Sequence, residues 1–108
     1  MAVTSADTNT QTAVISTEHT LATETTPGVY VLVVDTANMA LGDVVELRIK
    51  TKYTTGGTSR LAYKQTYAHI QSEINKYSIP IPVDAEIICT LKQTAGTGRD
   101  FPWNLLVL

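Results

Sequence analysis

The sequence predicts an all-β protein, an antiparallel β-sandwich of jelly-roll or Ig-like type. Three observations carry that expectation. Short apolar or alternating stretches recur along the whole chain, separated by Gly, Pro and Thr turns. Threonine, a β-branched residue suited to half-exposed strands, occurs 18 times. No stretch longer than about ten residues carries the 3.6-residue periodicity of an amphipathic helix.

The 108 residues fit one domain, with enough chain to close one core. Residues 1–20 are expected to form an extended, Thr-rich N-terminal arm, because Met1–Thr10 has almost nothing to bury; residues 21–108 form the single sandwich domain. From Thr12 onward Ala13 and Ile15 share a parity, and Leu21 and Ala22 follow, giving two weak strands or one strand and the arm. Pro27-Gly28 is a turn signal. Val29–Val34 is apolar on both parities, as a central strand requires. Asp35-Thr36 reads as a cap before one helical turn over 36–41, closed by Gly42.

In Val44–Lys64, Val45, Leu47, Ile49, Thr51 and Tyr53 face one side, with Glu46, Arg48, Lys50 and Lys52 on the other: a half-buried antiparallel strand. Leu61, Tyr63 and Tyr67 resume the apolar parity after the turn. A two-residue Gly56-Gly57 turn would set Lys52 against Leu61. A three-residue loop, Thr55-Gly56-Gly57, instead pairs Ile49 with Tyr63 and Thr51 with Leu61, with Gly57 left-handed. A bulge elsewhere restores parity equally well.

Residues 68–77 have local helix composition, or serve as a connection between sheets. Pro80 and Pro82 share parity and lack N–H donors toward the same side, which puts their strand at a sheet edge. Ile87, Cys89 and Leu91 share the core face of the next strand. The loop "AGTGRD" joins it to a last strand, "FPWNLLVL", in which Trp103 shares the parity of Leu105 and Val107 and reads as a core plug.

Composition narrows the function. The chain is 17% charged with a formal net charge of −2, against a dedicated nucleic-acid binder. One cysteine permits no internal disulfide. Residues 1–20 lack the basic and apolar segments of a signal peptide, and no apolar run reaches the roughly 18–20 residues that span a bilayer. These features fit a protein folded in a reducing cytoplasm, with no membrane partner.

No catalytic residues, metal ligands or cofactor motif are expected. Cys89 lies on a core parity, and His19 and His69 have no partners at ligand spacing. "AGTGRD" follows a strand without opening a helix, so it makes a weak phosphate cradle. The basic ladder is the sharpest surface feature. With Lys52 opposite Arg60 and Arg48 opposite Lys64, and Lys50 between, it faces solvent, an acidic neighbouring subunit or, least in keeping with the net charge, nucleic acid. Arg48, Lys50, Lys52, Arg60 and Lys64 are therefore candidate protein-interface residues. The arm residues Thr8, Thr10 and Thr12 join them, since an extended arm can add a strand to a neighbour's sheet.

The stretch "YVLVVDTANMALGDVVELRIKTK", the Gly-Gly turn with "RLAYKQTY", and "IPIPVDAEIICTLKQTAGTGRDFPWNLLVL" together resemble a group of small virion-associated proteins of tailed bacteriophages. The resemblance covers Tyr30–Leu108, about three quarters of the chain, and marks no catalytic residue. It implies a structural virion component, best a capsid cement or decoration protein. Such a protein would be made in the host cytoplasm, sit on the capsid surface, and bridge major capsid proteins as a homo-oligomer, expected to be a trimer. A head fibre, neck or tail protein is the alternative in the same class. A carbohydrate-binding module for host attachment, stacking sugars on Trp103 or the tyrosines, is the alternative outside it.

Overall fold

The computed structural model describes residues 2–108; Met1, the first residue of the expected arm, lies outside the described residues. The described residues form nine strands: β1 (Thr4–Thr12), β2 (Glu18–Glu24), β3 (Gly28–Asp35), β4 (Val44–Lys52), β5 (Arg60–Ala68), β6 (Asn75–Tyr77), β7 (Ile81–Val83), β8 (Glu86–Ala95) and β9 (Asp100–Val107). One sheet runs β1-β9-β3-β6, with β7 also on β3; the other runs β2-β8-β4-β5. All pairings are antiparallel. The protein is a β-sandwich, as the alternating pattern predicts.

Alternation builds the core. Tyr30, Leu32 and Val34 of β3 and Phe101, Trp103 and Leu105 of β9 point inward from the first sheet. Val45, Leu47 and Ile49 of β4 and Ile87, Cys89 and Leu91 of β8 meet them from the second. β3, β4, β8 and β9 are the inner strands of their sheets. Each fully buried Leu, Ile or Val side chain contributes about 1.5–3 kcal/mol of transfer free energy. The Tyr30 hydroxyl, buried with its ring, donates to the Thr26 carbonyl at 2.6 Å, so its polar end is satisfied.

Four expectations are corrected. Residues 4–12 are not a loosely held arm: β1 pairs with β9 from Thr4–Val107 to Thr12–Asp100. The side chains give no burial signal, because none in β1 is fully buried; backbone pairing to β9 holds the strand, with the Ser5, Thr8 and Thr12 hydroxyls donating to Asn104, the Trp103 carbonyl and Asp100.

The helical turn over 36–41 is replaced by two successive tight turns, Met39 N–H to Thr36 O and Asp43 N–H to Ala40 O, both 3.1 Å. The Asp35 carboxylate accepts from Ala37 N–H at 2.8 Å, an Asx turn in place of a helix cap. Residues 68–77 are not helical either; they take the other reading, a connection between the two sheets. β5 continues to Ala68, His69 adopts a left-handed φ of 65°, and Asn75–Tyr77 pair with Val33–Asp35.

The β4–β5 hairpin keeps Ile49 opposite Tyr63 and Arg48 opposite Lys64, but a bulge at Ala62 sets Lys50 against Leu61 and Thr51 against Arg60. The bulge turns Leu61 to the outer face, where it is exposed, and Tyr53 lies past the strand in solvent. Gly56, not Gly57, takes the left-handed conformation, with φ 81°.

The proline strand meets its expectation. β7 pairs with β3 alone, with Pro82 opposite Val29.

Candidate functional site

Two outer sheet faces and the strand edges are the surfaces this fold offers. The outer face of the β2-β8-β4-β5 sheet carries the basic ladder, and the fold neutralises most of it. Glu18 on β2 reaches Lys50 at 3.4 Å and Arg48 at 3.6 Å across β8. Glu46 takes Arg48 and also Lys64, the latter at 3.7 Å. Glu86 meets Lys52 at 3.7 Å. Glu46 thus binds both cations of the Arg48–Lys64 pair and offsets their mutual repulsion. Among the described residues, Arg60 has no carboxylate within ion-pair distance. Sequence reading saw the cations on one parity; it did not see the carboxylates that β2 and β8 place between them.

Glu18 titrates below the usual carboxylate range. The Thr90 hydroxyl, donating at 2.7 Å, lowers it most; burial opposes this, and Lys50 and Arg48 lower it further.

A buried polar cluster closes one end of the sandwich. Asp43, 1% exposed, accepts from Ala40 N–H (2.8 Å), Thr97 N–H (3.1 Å) and Arg99 Nε (2.8 Å). Gln93 donates to the Ala95 and Thr97 carbonyls and accepts from Arg99 N–H. Burial raises the Asp43 pKa, but the three hydrogen bonds and the Arg99 charge outweigh it, and the carboxyl stays below its ordinary value. Gly96 packs so closely that a Cβ there would lie 2.0 Å from Asp43 Oδ1. His69 joins the same corner, donating from N–H to the Asp43 carbonyl and accepting from Gly42 N–H on Nδ1. Every polar group of Asp43 and Gln93 is engaged in holding three loops together, which is an architectural task.

Cys89 is fully buried, and burial pushes its thiol up to about 12; no thiolate nucleophile is available there. Among the described residues, no group of three or more His, Cys, Asp or Glu side chains is placed to hold a metal ion. Trp103 is 5% exposed, so it is the core plug its parity predicts and not a stacking platform.

The outer face of the β1-β9-β3-β6/β7 sheet is different in kind. Val29, Val31 and Val33 of β3 and Leu106 of β9 are only half-buried on it. Val3, Tyr77, Ile79 and Leu108 are exposed around them. Val3, Val29, Val31, Tyr77, Pro80 and Leu106–Leu108 line an apolar groove of about 270 Å³. A second hollow of about 230 Å³, lined by Thr8, Val33, Asp35, Asn75 and Pro102–Asn104, lies farther along β3 and β9. The outer face of an antiparallel sheet is ordinarily polar where it meets water. Here it carries a contiguous apolar strip.

Thr8, Thr10 and Thr12 stand on β1, opposite Asn104, Pro102 and Asp100. Thr8 Oγ1 donates to the Trp103 carbonyl and Thr12 Oγ1 to Asp100, at 2.8 and 2.7 Å. The structure therefore divides the sequence-predicted interface residues. The five cations lie on one sheet, mostly ion-paired; the three threonines lie at the margin of the other. Two sequence signals bear on this face: the β3 run, apolar on both parities, which reads as central burial, and the apolar Leu105–Leu108 end, which reads as a last core strand or a plug into a neighbour. No family model matches the chain, and no curated protein or solved structure matches it either.

Proposed function

We propose that this chain is a structural component of a tailed-bacteriophage virion, a capsid cement or decoration protein that bridges major capsid proteins and stabilises the shell. The resemblance of Tyr30–Leu108 supplies the kind of particle. The observation that carries the reading to a surface is the apolar outer face of the β1-β9-β3-β6/β7 sheet. Val29, Val31, Leu106 and Leu108 present aliphatic side chains, flanked by Tyr77 and Pro80. Such a surface gains free energy by being covered, at about 25 cal/mol per Å² of apolar area removed from water. The opposite sheet satisfies its own charges and gains less from a partner.

The surface is built on strands of a packed sheet, which suits clamping one protein against another. Many copies repeat each weak contact over a shell, so avidity supplies holding strength that one copy lacks. Leu106→Glu and Val31→Glu place a charge in that contact and are expected to abolish co-sedimentation with capsid shells while the monomer stays folded. Shell binding by both variants at the wild-type level overturns the assignment of this face.

A further inference from the structure

Each sheet of an open sandwich ends in two strands with unpaired backbone groups, and such edges are blocked or used. Three of the four edges here are blocked. β6 and β7 are three residues each, and Pro80 and Pro82 remove donors beside them. β5 carries Arg60 and Lys64. β2 carries Glu18 and Glu24 and is broken by a bulge at Leu21. β1 is the exception: nine residues, TSADTNTQT, with one charge, Asp7, and no proline or lysine.

We propose that β1 pairs antiparallel with β1 of a second copy of this chain, with Thr8 of each opposite Thr10 of the other, so that two sandwiches share one continuous sheet. The outward donors set the register. The Thr8 and Thr10 N–H groups are taken by the side-chain oxygens of the preceding residues, Asp7 at 2.9 Å and Asn9 at 2.8 Å. These donors face the free edge, and without a neighbouring strand they fall back on local acceptors.

With Thr8 opposite Thr10, both become a hydrogen-bonded pair that exchanges two N–H···O=C bonds, and the two-fold axis repeats it. The pairing stays within Asp7–Gln11, clear of the irregularity between Ser5 and Asp7. It sets Asp7 opposite Gln11, whose amide can donate to the carboxylate released from Thr8, and Asn9 opposite its own copy. No like charges oppose each other in this register. The sequence is thus complementary to itself, which is what a two-fold contact demands. A ring built from strand edges would need a second open edge to receive β1, and the other three edges are blocked.

The pairing is independent of shell binding and is tested on the isolated chain by sedimentation equilibrium. Wild type is expected at twice the 11.7 kDa chain mass. Thr10→Pro removes an outward donor while leaving the β9 ladder intact. At about one net hydrogen bond per copy plus a misfit at the edge, it should weaken the dimer by about 100-fold. T8K with T10K sets lysines opposite lysines and should also give monomers. Circular dichroism should show both variants folded. In wild type, amide exchange at Thr8 and Thr10 should be slow when concentrated and fast on dilution. A monomeric wild type overturns the proposal, as does a dimer or trimer that persists in both variants.

Discussion

Asp43 is a buried polar residue on which one end of the sandwich depends. Its carboxylate ties the β3–β4 turn, through Ala40 N–H, to the β8–β9 loop, through Thr97 N–H and Arg99. Replacing it with alanine leaves two backbone donors and a guanidinium unpartnered, at a cost of about 3 kcal/mol, measurable as a lower urea midpoint with unchanged slope. Gly96→Ala should cost a similar amount, because φ is 90° there and a Cβ would collide with Asp43. The pH dependence follows from two depressed carboxyls. Asp43 and Glu18 both have folded-state pKa values below their unfolded ones. Their stabilisation is therefore fully present above the ordinary carboxylate range and is lost as pH falls below that range through the depressed folded-state values. The urea midpoint should fall less between neutral and acidic pH in D43N than in wild type.

At the scale of single strands, the ion pairs of the charged face predict a modest, salt-sensitive effect. Lys50→Glu turns the Glu18 contact repulsive and should destabilise by about 0.5–1 kcal/mol, less in high salt, as a thermal melt at two ionic strengths will show. Cys89 should resist thiol reagents in the native state and react on unfolding, since its thiol is held near 12 in the core of β8. These strands show what the sequence makes legible. Alternation placed Val45, Leu47, Ile49, Cys89 and Trp103 inside, and the shared parity of Pro80 and Pro82 placed their strand at an edge. Alternation failed where no side chain reports the structure: β1 is held by backbone bonds, and the Ala62 bulge shifts register without changing composition. The 36–41 and 68–77 stretches look helical locally, but tight turns, His69 and pairing to β3 override that propensity. The apolar outer face needed the fold, because a strand apolar on both parities reads alike whether its second face is covered by its own chain or by a neighbour.

For the whole molecule, the sandwich divides its labour between two faces. One sheet turns outward a set of charges that largely satisfy each other. The other turns outward valines and leucines, with β1 at its margin. Burial by a partner is the event this asymmetry favours, and the capsid proposed above is the partner to test. The most direct measurement of that proposal is co-sedimentation of the purified chain with shells assembled from a tailed-phage major capsid protein, comparing wild type with Leu106→Glu and Lys50→Glu. The account predicts that wild type and Lys50→Glu pellet with shells while Leu106→Glu stays in the supernatant. Equal pelleting of all three, or no pelleting of wild type, contradicts it.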